Sequence, residues 1–280
     1  MEFPETDKTK IRIASFDIGK KNFAQYIEDA DIEKLKELEE RYKKLPKKLK
    51  RRCNGPMNSD VGEILNDIFL SSIRIQTGVY DLREDKTSNA LDIQTRFNLL
   101  RHLESFIPLW KTCDIFVIER QYFKTEHRGR KNKKGSKSEA NVSAIQFAEA
   151  TLMWFIESYP AREIMYFGSQ NKTQILGAPV GLSKIERKKW ATNKCREIYE
   201  LRNDFGMTEI FHLNDRIFRK RLNSEEAVKK YLDTFPKDKC SQDCIELSKK
   251  VVNERQKLDD IGDACVQCQA FKFRNLVAFF

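Results

Sequence analysis

Three sets of carboxylates stand where the chain changes character. Asp17 closes the apolar run "IRIASFD" and is followed at once by Gly19, Lys20, Lys21 and Asn22. Glu119 closes the run "CDIFVIE", and Asp259, Asp260 and Asp263 fall within "KLDDIGDACVQC". On a helix, 260 and 263 share a face, as do 259 and 263, and like charges so placed repel by a few tenths of a kcal/mol, ~0.2–0.5. Gathered at one buried place, uncompensated anions cost several kcal/mol each. A divalent cation removes that cost. Mg²⁺ takes hard oxygen ligands, and two such ions about 3.5–4 Å apart clamp the attacking and leaving oxygens of a phosphodiester. Taken singly, each acid has an ordinary explanation: a turn former, a solvated strand end, an exposed helix face. Their co-occurrence on a basic chain is what points to a metal-dependent nuclease.

The chain is basic. Its 280 residues carry 52 Lys and Arg against 42 Asp and Glu, a formal charge of +10 with a pI near 9.1. That balance points to a polyanionic partner, nucleic acid or an anionic membrane. No apolar run approaches the roughly 18–20 residues that span a bilayer, so nucleic acid is the expected partner, with no membrane. "MEFPETDKTK" has no apolar secretory core. Seven cysteines, an odd number, fit reduced thiols in an intracellular, cytoplasm-like compartment. Cys240, Cys244, Cys265 and Cys268 could form a zinc site, but "ACVQCQAF" reads as a helix whose thiols lie among apolar residues, and buried structural thiols are the expectation.

The elements that must position the acids follow from periodicity. "IRIASF", "FAQYIE" and "SSIRIQTGVYDL" read as strands, the first two joined by a tight turn at "IGKKN". "DIEKLKELEERYKKLPKKLKRR" reads as a helix interrupted at Pro46, and Ser88 to Trp110 as an amphipathic helix ending near Pro108. "CDIFVIE" has the continuous apolar character of a strand buried on both faces. After it, residues 124–141 form a basic loop. "VSAIQFAEATLMWFIESY", "REIMYFG" and "SKIERKKWATNKCREIYELR" read as helix, strand and helix, and the chain closes on one long helix or two abutting ones. Residues 203–243 are polar and aromatic with no clear order. The sum is one α/β domain over residues 1–280, a mixed sheet with basic insertions.

"SFDIGKKN", "VIERQ" and "KLDDIGDA" together resemble the RuvC-like Holliday junction resolvases, the poxvirus and fungal mitochondrial types of the RNase H-like superfamily. "SKIERKKWATNKC" is similar to that family's lysine-rich helix. The resemblance covers the sheet core and the last helix. It implies an RNase H-like fold with a mixed five-stranded sheet flanked by helices, and metal-binding carboxylates at Asp17, Glu119, Asp260 and Asp263, with Asp259 a further candidate ligand. It implies two Mg²⁺ per site, replaceable by Mn²⁺, and symmetric paired nicks in a four-way DNA junction that leave 5′-phosphate and 3′-hydroxyl ends. A two-fold substrate implies a homodimer, built on the helix Ser88 to Trp110 or the one through "LMWFIE". A viral member would act at a cytoplasmic replication site. Around residues 30–60 and 203–243 the chain is longer than compact members.

DNA contacts are expected from Lys20, Lys21 and Asn22 in the first motif and Gln121 in the second. The basic loop adds Lys124, Arg128, Arg130, Lys131, Lys133 and Lys134, which contact phosphate and give affinity rather than sequence choice. Tyr122 and Phe123 at its start either wedge into a junction or pack beneath it. Lys188 and Lys189 either offset charge at the scissile phosphate or sit on a solvated surface. Of the histidines, His127 lies in the loop. The rival readings are a nuclease of the same fold acting on flaps, branched DNA or RNA–DNA hybrids, and a non-catalytic nucleic-acid-binding module. A sugar-kinase or ATPase reading of "DIGKKN" needs a later glycine-rich adenosine loop, and none follows residue 206.

Overall fold

The computed structural model describes residues 8–50, 57–87, 91–121, 142–168, 172–218, 224–234, 241–253 and 258–278. Five strands form one sheet: β1 (Lys10–Asp17), β2 (Phe23–Asp31), β3 (Ser72–Tyr80), β4 (Ile115–Arg120) and β5 (Glu163–Gly168). Their order is β3-β2-β1-β4-β5. β2 runs antiparallel to β1 and β3, whereas β1, β4 and β5 are mutually parallel. This is the mixed five-stranded sheet flanked by helices that the resemblance implies. Its parallel part matters most, because the carboxyl ends of parallel strands share one edge, where α/β sheets receive ligands.

Twelve helices among the described residues cover the sheet. They are α1 (Ile32–Lys44), α2 (Lys47–Lys50), α3 (Ser59–Leu70), α4 (Ile93–Ser105), α5 (Ile107–Trp110), α6 (Val142–Ser158), α7 (Lys172–Ile175), α8 (Lys184–Leu201), α9 (Phe205–Phe218), α10 (Glu225–Asp233), α11 (Gln242–Asn253) and α12 (Asp259–Phe271). A π-helical turn, Lys272–Val277, follows α12. Pro46 separates α1 from α2, as periodicity predicts. The predicted helix from Ser88 divides into α4 and α5, with Phe106 breaking the run before Pro108. Among the features not foreseen are α3, the short α7, and helices α9 and α10 within the region 203–243.

Alternation along the strands assigns each side chain to a layer. Ala14, Phe16, Phe116 and Ile118 point into an aromatic core with Trp110, Phe147 and Phe155, beneath α4, α5 and α6. Ile11, Ile13, Ile115 and Val117 point the other way, into the larger core under α1, α3, α8, α9, α11 and α12. By the same period of two, Ser15, Asp17 and Glu119 face that second layer. Both faces of β4 are therefore buried, which explains its unbroken apolar sequence.

A buried polar network anchors that layer. Glu28 is fully buried on β2 and accepts hydrogen bonds from Tyr26 (2.7 Å), Arg202 (2.9 Å) and Gln269 (2.9 Å), with Lys272 at 2.6 Å. Burial alone would raise its pKa, but Lys272 and Arg202 outweigh burial and hold it well below the usual carboxylate range. The network fixes the C-terminal ends of α8 and α12 on the sheet. On β3, Arg74 pairs with Asp204 at 2.6 Å and also with Asp243, tying the chain on either side of α9 and α10 to the sheet.

The candidate metal centre

The last pair of residues matched between β1 and β4 is Phe16 with Ile118. The next residue on each strand is an acid, so Asp17 and Glu119 emerge side by side at the carboxyl edge and are hydrogen-bonded to each other. Their proximity is a consequence of parallel register, not of sequence distance.

Gln267 brings the third set. Its side-chain amide donates to Ser15 Oγ (3.2 Å), the Phe16 carbonyl (3.1 Å) and the Val117 carbonyl (3.2 Å), bridging the β1–β4 seam. Ser15 Oγ in turn donates to the Ala264 carbonyl at 2.9 Å. Residues 260, 263 and 267 share one helical stripe. Seating Gln267 on the seam therefore carries Asp263 and then Asp260 out over the strand ends. Ligand oxygens of Asp17, Asp260 and Asp263 all lie within 4.8 Å of one another. That spacing suits a hard cation, since octahedral Mg²⁺ at about 2.1 Å places opposed ligand oxygens roughly 4.2 Å apart.

Asp259 turns elsewhere. Lys188 of α8 donates to Asp259 at 2.9 Å and to Asp260 at 3.0 Å, and Asp259 stands outside the converging group. Lys188 is brought there by a close approach of helices: a Cβ on Gly262 would lie 2.9 Å from Thr192 Cα, and Thr192 is one turn beyond Lys188. Lys189 has no described contact with the acids.

The residue that sequence reasoning missed is Lys172. It follows β5, the third parallel strand, and its ammonium is buried 2.9 Å from Glu119 and 3.0 Å from Asp263. The available signal was positional: in parallel register Glu119 pairs with Phe167, so whatever follows Gly168 emerges at the same edge. Gln121, expected to meet DNA, donates to the second oxygen of Glu119 at 2.9 Å. Lys20, Lys21 and Asn22 lie in the turn between β1 and β2, directly beyond Asp17, with Lys21 exposed. Gly19 there does not adopt positive φ; a Cβ would approach the Asn22 carbonyl oxygen at 3.3 Å, so the turn needs its small size.

The charges polarise the group. Burial raises the Asp17 pKa well above its usual value, and neighbouring Glu119 and Asp263 add to the rise against the pull of Lys172. Burial acts in the same direction on Glu119, but the charge of Lys172 and the hydrogen bonds from Asp17, Lys172 and Gln121 hold it below the carboxylate norm. Asp260 is raised by burial and by Asp259, with Lys188 opposing. The same surroundings therefore push Asp17 and Glu119 in opposite directions.

His102 lies in the other layer, among Phe23, Tyr80 and Phe106, and bonds Gln25 at 3.1 Å. Cys113, Cys195, Cys244, Cys265 and Cys268 are free and buried. Lys124, Arg128, Arg130, Lys131, Lys133 and Lys134, with Tyr122, Phe123 and His127, lie outside the described residues, as do Cys53 and Cys240.

No protein-family model matches the chain. It is 27% identical over 271 residues to the uncharacterized protein 170L of Invertebrate iridescent virus 6, covering 95% of this chain and 90% of that protein. It is 24% identical over 196 residues to the uncharacterized protein 97L of Invertebrate iridescent virus 3, covering 66% of this chain and 84% of the relative. Among solved structures, Thermus thermophilus RuvC aligns with 67% of this chain and 80% of its own, at 13% identity and a TM-score of 0.36. Among the described residues, no helix is long and apolar enough to cross a membrane.

Proposed function

We propose that the protein is a divalent-metal-dependent endodeoxyribonuclease that resolves four-way DNA junctions. The observation carrying the reading is the convergence of Asp17, Asp260 and Asp263, from two elements far apart in sequence, at the carboxyl edge of the parallel strands. Three hard anionic donors so close together, with no thiolate or imidazole among them, suit Mg²⁺ or Mn²⁺ rather than zinc. Glu119 lies beside Asp17 at the same edge, with its oxygens on Lys172 and Gln121. A bound divalent cation would supply Lewis-acid stabilisation of phosphoryl charge and lower the pKa of a nearby water.

Asp17, Asp260 and Asp263 would hold the cation, and Gln267 keeps their helix and strand in register. Lys188 restrains Asp260 through its contact at 3.0 Å. Lys20, Lys21 and Asn22 border the site where the flanking phosphates would run. The overall reaction adds water across the P–O3′ bond, leaving a 5′-phosphate and a 3′-hydroxyl. The basic residues Lys124 to Lys137 follow β4 in sequence, which suits a role in gripping branched duplex. Reduced cysteines and viral relatives are compatible with work in an intracellular compartment.

The test is Asp17→Asn with a synthetic four-way junction and Mg²⁺. Cleavage falls by at least about 10³-fold, a drop typical of losing a member of a metal-dependent catalytic set, while gel-shift affinity for the junction stays within a few-fold. Cleavage equal to that of the native chain would remove Asp17 from the chemistry. Cleavage confined to the RNA strand of a hybrid would replace junctions with a different substrate.

A further inference from the structure

The sequence leads one to expect two divalent ions, yet a protein cation already stands inside the carboxylate group. Lys172 is 5% exposed, and its ammonium is 2.9 Å from Glu119 Oε1 and 3.0 Å from Asp263 Oδ1. The other oxygen of Glu119 accepts from Gln121 at 2.9 Å. Both oxygens of Glu119 thus meet protein donors, and Glu119 is absent from the group whose oxygens converge within 4.8 Å. Asp263 belongs to both sets, with one oxygen on the lysine. The acids divide into a converging side of Asp17, Asp260 and Asp263, and a side of Glu119 and Asp263 bridged by an ammonium.

A buried lysine is expensive to desolvate and persists only where anions surround it. A divalent ion seated between Glu119 and Asp263 would have to share the space of that ammonium, at a like-charge separation of about 3 Å where the effective dielectric is low. Moving Lys172 out would strand its charge, since it leaves from a short helix packed against α8 and α12 with no anion outside this group described near it.

From this geometry we infer that the site takes a single divalent cation, on Asp17, Asp260 and Asp263, and that Lys172 supplies the second positive charge beside it. The inference rests on the metal-dependent reading above and changes its stoichiometry. Lys172 is then a positioning residue for Glu119 and Asp263. Lysine cannot be exchanged for a methylene chain of similar length without altering how many metal ions the site accepts.

Mn²⁺ counting decides the matter. The full chain is titrated with Mn²⁺ by calorimetry and by electron paramagnetic resonance, alone and with the nicked-duplex product. The native chain binds one Mn²⁺ per active site, with the signal of an isolated ion. Lys172→Met takes up two, showing the exchange coupling of ions about 4 Å apart, and Lys172→Arg, which keeps the charge, still takes one. Two coupled ions in the native chain overturn the role of Lys172 and leave the nuclease intact. One ion in both the native chain and a folded Lys172→Met also overturns it. No Mn²⁺ bound at millimolar concentration removes the metal-dependent reading itself. Should Lys172→Met fail to fold, Lys172→Gln, which also removes the charge, takes its place with the same two outcomes.

Discussion

At the scale of single residues, the two layers of the sheet treat ionisable groups in opposite ways. On the α12 side, the buried charges among the described residues have counter-charges: Glu28 with Lys272 and Arg202, Glu119 and Asp263 with Lys172, Asp260 with Lys188. On the α4–α6 side, His102 is packed in aromatic rings, and burial, helped by the nearby charge of Lys250, lowers its pKa to about 4. The unfolded chain binds that proton near pH 6.5. Between these values the unfolded state holds more protons, so stability falls as the pH drops from about 6.5 toward 4, at on the order of 1 kcal/mol per pH unit. In urea unfolding at pH 7 and pH 5, His102→Gln, which keeps a hydrogen-bonding group for Gln25, should lose about 1–2 kcal/mol less than the native protein. Identical losses would mean that His102 is protonated in the fold. Legibility at this scale followed chemistry. Asp17 and Glu119 could be read because each ends an apolar strand. Lys172 offered only its position after the third parallel strand, because a buried lysine in "NKTQ" is otherwise indistinguishable in sequence from a solvated one until its partners are known. Asp259 and Asp260 are adjacent, and only the rotation of α12 on the seam separates their roles.

At the scale of elements, the strands were legible since alternation and unbroken apolar runs report burial directly. Helix α12 was recognisable too, but its position was not; that depends on Gln267 spanning the β1–β4 seam and on Gly262 against Thr192. The segment 203–243 could not be ordered from sequence because its attachment runs through Arg74 to Asp204 and Asp243, contacts between residues more than a hundred positions apart. Helix α3 differs: Val61, Ile64, Leu65 and Ile68 do carry helical spacing after the Asn58 cap, but the run leads without a break into β3. The Gly262 contact gives this scale its own prediction. A methyl group there meets backbone on α8 at 2.9 Å and 3.1 Å, which no side-chain rotation relieves. Gly262→Ala should destabilise the protein by about 1–3 kcal/mol, the usual cost of overpacking, despite alanine's better helix propensity. Forcing α8 away from α12 also separates Lys188 from Asp259 and Asp260. Chemical denaturation checks the first effect, and an unchanged midpoint would show that the helices have room to spare.

At the scale of the whole molecule, the basic excess is concentrated in one stretch of sequence. Residues 122–141 hold seven Lys and Arg against two acids, half of the chain's net charge of +10, and in sequence they begin three residues after Glu119. The far layer instead exposes a stripe: Ile93, Phe97 and Leu100, at spacings of four and three on α4, are 72%, 48% and 37% exposed. Met153 and Ile156 expose a second pair on α6, which Arg96 ties to α4 through Gln146 at 3.0 Å. Large exposed apolar patches mark interaction sites, and these residues are the candidates for one. A junction with near two-fold symmetry requires two active sites, and an isologous pairing of this face would supply them while leaving the carboxyl edge of the sheet open. Under the proposed function, the native chain should therefore sediment as a dimer, and Phe97→Glu, which sets like charges against each other across the two-fold axis, as a monomer. On a cruciform plasmid the dimer should give linear product from paired nicks within one binding event, and the monomer mainly nicked circles, with the chemistry of a single nick preserved because Phe97 is exposed on α4, in the layer opposite the carboxylates. A Phe97→Glu chain that remains dimeric would move the interface elsewhere. A monomer that still linearises the cruciform would show that pairing of active sites is not how the two strands are cut.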